Sequence, residues 1–86
     1  MTVADAIYAL GEIAAGRRPE QSRLLAGALA LDTIRLRGAA SRDVLDAAAG
    51  LELVATGGEL DLDERGRIRA AHLANAVAML NNEGGR

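Results

Sequence analysis

Apolar residues recur at helical spacing along most of the chain. Val3, Ile7, Leu10 and Ala14 mark one face of a first helix over about 3–15, with Thr2 placed to cap it and Asp5 in its first turn. Gly16 stands where a helix ends. Pro19-Glu20 restarts one, because proline fits the first turn and an acid favours the positive end of the helix dipole. The second helix is expected over 19–37, closing at Gly38. Its Leu24, Leu25, Ala28, Leu29, Leu31, Ile34 and Leu36 cover more than one stripe, the pattern of a central helix enclosed by its neighbours. Gly11 and Gly27 fall inside these helices, where each costs about 0.5 to 1 kcal/mol relative to Ala, so both are read as points of close helix approach.

Ser41 caps a third helix, with Asp43 in its first turn and Val44, Leu45 and Ala48 facing inward. Its end has two readings. If Gly50 stops it, the helix covers 41–49. Leu51 to Ala55 and Glu59 to Asp63 then alternate as two short strands joined around Thr56-Gly57-Gly58, a β-hairpin at 51–62. If it continues to Thr56, then Leu51, Val54 and Ala55 extend its stripe and Gly57-Gly58 is the stop. The hairpin is the reading taken forward. A last helix over 63–81 carries Ile68, Leu73, Ala76, Val77 and Leu80 on its inner side, and 82–86 is expected to fray. The expected fold is therefore mainly α: four helices with a short hairpin in one domain over 1–81, or alternatively an all-α four-helix bundle.

Composition sharpens this. Among 86 residues, 19 are Ala and 13 are Leu, while Tyr8 is the lone aromatic. Such a core is helix-prone but thin, because Ala burial yields little transfer energy and a domain of this size buries only about 60 to 70 % of its unfolded surface. A partner chain is the expected stabiliser, since the absence of cysteine excludes disulfides and thiolate metal sites. The start Met1-Thr2-Val3-Ala4-Asp5 lacks the basic opening of a signal peptide, and the longest apolar run, Leu24 to Leu31, is short of a membrane span. A cytoplasmic protein without membrane contact is expected.

Helix–helix–helix–hairpin–helix is also the element order of a winged-helix domain. Gly50-Leu51-Glu52-Leu53-Val54, Gly57-Gly58-Glu59-Leu60 and Leu62-Asp63-Glu64-Arg65-Gly66-Arg67 resemble the wing and post-wing junction of small bacterial winged-helix proteins, with Asp63 as cap. The likeness is confined to residues 50–67, and the second helix is longer than the compact turn that precedes a recognition helix. It implies a DNA-binding regulator whose phosphate contacts would be Arg42, Arg65 and Arg67.

The net charge of −2 conceals a strong segregation. Residues 1–40 carry +1 and 65–86 carry +3, whereas 41–64 carry −6. A DNA-binding surface draws its affinity from cations that displace counterions, so this segment disfavours nucleic acid. It is instead read as an acidic face of Asp43, Asp46, Glu52, Glu59 and Asp61 that docks a basic protein surface. Arg65 and Arg69 share one side of the last helix, placed to pair with acids of a neighbouring chain.

Catalytic patterns are incomplete. His72 lies among Ala and Leu without a nucleophile pattern around it, and a structural role is expected. Asp61, Asp63 and Gly66 imitate the start of a calcium loop, but Arg65 and His72 occupy ligand positions. Gly11 and Gly16 have phosphate-loop spacing without the Lys-Ser/Thr pair. The expectation is a non-enzymatic regulatory or adaptor protein with no cofactor or metal, forming a homodimer through Ile68, Leu73, Val77 and Leu80. A winged-helix regulator is the alternative, and a structural subunit of a phage or mobile-element assembly is a third reading.

Overall fold

The computed structural model describes the backbone of residues 3–38 and 41–84 and the side chains of 3–38 and 41–79. It contains α1 (Val3–Ala14), α2 (Gln21–Leu36), α3 (Arg42–Ala55) and α4 (Glu64–Gly84). The helices form a ring in which α1 packs on α2 and α4, and α3 packs on the same two. Gln21, at the start of α2, donates from its side-chain amide to the carbonyl of Ala55 at the end of α3 at 2.5 Å. This bond shows that α2 and α3 run antiparallel, and it satisfies one of the carbonyls a helix end leaves open.

No strand forms among the described residues, so the hairpin expected at 51–62 is corrected to a helix extension and a loop. Gly50 is not the stop of α3. It sits within the helix, and only Gly16, Gly38 and Gly57 adopt positive φ among the described residues. The penalty of about 0.5 to 1 kcal/mol for a helical glycine is outweighed by what lies beyond it. Leu51, Val54 and Ala55 are all at least nine-tenths buried, and a fully buried Leu or Val contributes about 1.5 to 3 kcal/mol. A strand would have placed Leu51, Leu53 and Ala55 on one face. The helix instead groups Leu51, Val54 and Ala55 with Val44, Ala47 and Ala48, and leaves Leu53 outside. The helix ends at the paired glycines: Gly57 N–H donates to Val54 O at 3.1 Å and Gly58 N–H to Leu53 O at 2.7 Å. The wing implied by the winged-helix resemblance is therefore not formed.

The other boundaries follow local chemistry. Ser41 accepts from the Val44 amide as the N-cap of α3, and Asp63 accepts from the Gly66 amide at 2.8 Å as the cap of α4. Pro19 precedes the helix instead of lying in its first turn: Glu20 stands at the N-cap, so α2 begins two residues later than expected. Helical backbone continues through residues 82–84, where fraying was expected, and residues 85 and 86 lie outside the described part.

Small residues set the spacing of the core. Ala6, Ala9, Ala28, Ala47, Ala48 and Ala70 are buried with Leu24, Leu31 and Leu51, and Leu60 reaches in from the loop. Gly27 is a genuine close approach: a Cβ there would lie 2.9 Å from Ala6 Cα and 3.3 Å from Leu51 Cδ1. Gly11 is not, because nothing lies within 4 Å of where its Cβ would be, and Gly50 is equally open. Tyr8 stays outside, with the Arg23 guanidinium 4.3 Å from its ring centre and 3.5 Å from Asp5, which ties α1 to α2 at the surface.

These environments give alanine substitutions opposite signs. Gly27→Ala should cost about 1 to 3 kcal/mol by forcing α1 and α2 apart, whereas Gly50→Ala should stabilise by about 0.5 to 1 kcal/mol. Urea midpoints of the two variants test this, and equal or same-sign shifts would refute the packing described.

Candidate functional site

Two regions concentrate features that could serve a function: a charged seam between α3 and α4, and an apolar outer face on α2 and α3. At the seam, Asp46 receives Arg69 of α4 at 3.1 Å and has Arg42 of its own helix at 3.9 Å. Asp43 meets Nε2 of His72 at 3.2 Å. The loop that joins the two helices is held by its own acids. The Asp61 carboxylate accepts from the Asp63 amide at 3.2 Å, and Asp63 caps α4. A Cβ on Gly66 would overlap the Asp61 carbonyl oxygen, so only glycine lets this loop lie against the first turn of α4. An open cleft of about 700 Å³ runs past Asp61, Asp63, Arg65, Ile68, Arg69 and His72. A smaller one of about 220 Å³ lies under the loop, walled by Leu10, Leu51, Leu60 and Leu73, with Asp46, Glu59 and Asp61 also lining it.

The residues expected to form one acidic face are divided by this geometry. Asp46, Glu59 and Asp61 share the loop cleft, and Asp43 lies beside His72. Glu52 lies apart: six residues beyond Asp46, it is turned about 120° around α3 and lines a cleft of about 160 Å³ against Leu25 and Leu29 of α2. Arg69 pairs within its own chain, in place of the neighbouring chain expected from its spacing.

The residues expected to contact a second chain through α4 are also separated. Leu73 and Val77 are 6 % and 0 % exposed, inside the chain's own core, whereas Ile68 is 63 % exposed on the far side of the helix. The Leu80 side chain lies outside the described residues. The three arginines assigned to DNA do not converge. Arg42 is exposed at the start of α3, Arg65 lines the open cleft, and Arg67 lies across Gly16, its Cδ 3.4 Å from where a Cβ would be.

The apolar face was not anticipated, although its residues were visible. The pattern of α2 predicts a helix enclosed on every side, yet Leu25, Leu29 and Leu36 are 45 %, 51 % and 76 % exposed. Leu45 of α3 is 37 % exposed, with Ala49 and Glu52 continuing its stripe, and Glu52 lines one cleft with Leu25 and Leu29. The missed signal was that α2 carries more apolar residues than a two-neighbour packing can cover.

Neither region presents a catalytic set among the described residues. His72 meets Asp43, but both side chains lie at the surface, 62 % and 43 % exposed, and the Ser41 hydroxyl is engaged as a helix cap. No group of three or more acidic or His side chains is placed to hold a metal among the described residues. Searched among them, no helix is long and apolar enough to cross a membrane. No family model matches the chain, and neither the curated proteins nor the solved structures contain a match to it.

A shifted carboxylate lies away from both regions, at the end of α1. Arg17 hydrogen-bonds the Glu12 carboxylate at 2.6 Å and holds its pKa below the ordinary value, while Glu12 raises that of Arg17. The same two residues share a backbone bond across Gly16, from the Arg17 amide to Glu12 O at 2.9 Å. A depressed folded-state pKa gives stability that is present above 4.5 and is lost as pH falls through the lowered value. Glu12→Gln should therefore lower stability at neutral pH and flatten the loss on acidification. Parallel urea-midpoint curves for the two proteins across that range would contradict it.

Proposed function

We propose that this chain is a non-catalytic helical module that works by protein contact, through the outer face of α2 and α3. One observation carries the reading: Leu25, Leu29 and Leu36 fall on one stripe of α2 and stay at the surface, while the core beneath closes around Leu24, Leu31 and Leu51. Leucines left exposed along one helical stripe mark a surface that is covered in use. A regulatory or adaptor role fits this arrangement.

The acidic segment supports contact less directly. Asp43 and Asp46 are engaged with His72 and Arg69, so the carboxylates left to meet a basic partner are Glu52, Glu59 and Asp61, on two different sides. Nucleic acid is a weaker fit, since the three arginines do not share a surface and the seam between them is acidic.

Affinity capture with the wild type, Leu25→Arg/Leu29→Arg and Ile68→Arg tests the reading. Proteins retained by the wild type and by Ile68→Arg, lost from the double variant and insensitive to nuclease are the expected result. Retention that survives the double variant, or that nuclease abolishes, overturns it.

A further inference from the structure

The cleft of about 220 Å³ under the α3–α4 loop is a hollow that the chain's own side chains leave unfilled. It lies where α3 and α4 touch each other least of the four adjacent helix pairs. Asp46, Gly50 and Leu53 share one stripe of α3 along the hollow, and Gly66, Arg69 and Leu73 line it from α4. A helical glycine is destabilising relative to alanine, and close packing accounts for Gly27 but not for Gly50, since nothing lies within 4 Å of its Cβ position. The missing side chain of Gly50 leaves the hollow open on the α3 side. The loop above is held from both ends. The Gly58 amide donates to Leu53 O at 2.7 Å, the Asp63 carboxylate accepts from the Gly66 amide at 2.8 Å, and Leu60 packs on the core between these anchors.

The chemistry of the hollow is divided. Its deep lining is apolar, with Leu10, Leu51 and Leu73 buried, whereas its charges are Asp46, Glu59, Asp61 and Arg69, none of them buried. Arg69 is paired with Asp46 at 3.1 Å. Among the described residues no cation lies within ion-pair distance of Glu59 or Asp61. Three carboxylates against one guanidinium leave a formal charge of −2 at the rim. That field attracts a cation and repels an anion, while the lining below it favours a hydrocarbon body.

We propose that this cleft binds a small organic ammonium ion, one whose apolar body is an aromatic ring with a short alkyl tail. The body lies against Leu10, Leu51, Leu60 and Leu73, and the ammonium donates to the carboxylates of Glu59 and Asp61. An apolar cavity of about 150 Å³ accommodates benzene, so about 220 Å³ has room for the ring and the tail. The site goes beyond the contact reading and is independent of it, because it shares no lining residue with the exposed stripe of α2 or with the cleft beside that stripe.

Titration of the ¹⁵N-labelled full chain with 4-phenylbutylammonium, followed by amide chemical shifts, tests the assignment. Saturable binding with a Kd of about 0.1 to 1 mM is expected for a ligand of this size, with the largest shifts at Gly50, Leu60 and Leu73. The uncharged 4-phenylbutanol should bind about fivefold more weakly, and 4-phenylbutyrate more weakly still. Glu59→Gln combined with Asp61→Asn, which keeps an acceptor for the Asp63 amide, should weaken the ammonium about fivefold and leave the alcohol unchanged. Gly50→Leu should fill the hollow and abolish binding while raising the urea midpoint, which reports that the chain is folded. Absence of saturable binding below about 10 mM, ten times the weakest expected Kd, overturns the proposal. So does an alcohol that binds as tightly as the ammonium, indifference to the paired carboxamide substitutions, binding that survives in folded Gly50→Leu, or shifts confined to Leu25 and Leu29.

Discussion

The packing of this protein depends on how closely its helices can approach. Alanine side chains reach only a short distance, so the alanine positions of this core close only where backbones come near one another. Gly27 against Ala6 is where α1 and α2 do so, and Leu51 of α3 reaches the same point. From that contact the ring brings Ala9, Ala28, Ala47 and Ala70 inside. Leu10, Ile13, Leu24, Leu31, Leu51 and Leu73 fill the rest of that core, while Tyr8 and several leucines remain at the surface.

The α3–α4 connection shows competition between local and tertiary terms. Locally, Gly50 followed by alternating apolar residues and a Thr-Gly-Gly turn is a fair hairpin. In the folded chain, α2 offers a groove that only a continuous helix can fill with Leu51, Val54 and Ala55, and Gln21 awaits the carbonyl of Ala55. Burial of those side chains exceeds the cost of a helical glycine, so the helix persists to the next glycine pair. The loop that remains is short and ordered by its own chemistry, through Asp61, Asp63 and the bare Cα of Gly66.

Part of the acidic stretch meets basic groups in the folded chain: Asp46 pairs with Arg69 of α4 and with Arg42, and Asp43 meets His72. Exposed pairs such as Asp46–Arg69 contribute at most about 1 kcal/mol each, which makes the seam a minor source of stability and a poor template for a single acidic docking surface.

By itself the sequence determined four helical segments, the caps at Ser41 and Asp63, the glycine stops at Gly16 and Gly38, and an alanine core with Gly27 at a close crossing. These are local or nearly local properties, written in propensity, capping chemistry and 3.6-residue periodicity. The tertiary structure alone decided that α3 runs past Gly50, that Gly11 faces open space while Gly27 does not, and that Leu73 and Val77 point inward. It also decided that the second stripe of α2 is left uncovered. Each of these depends on which neighbour a face meets, and periodicity records that a face is apolar without recording what lies against it.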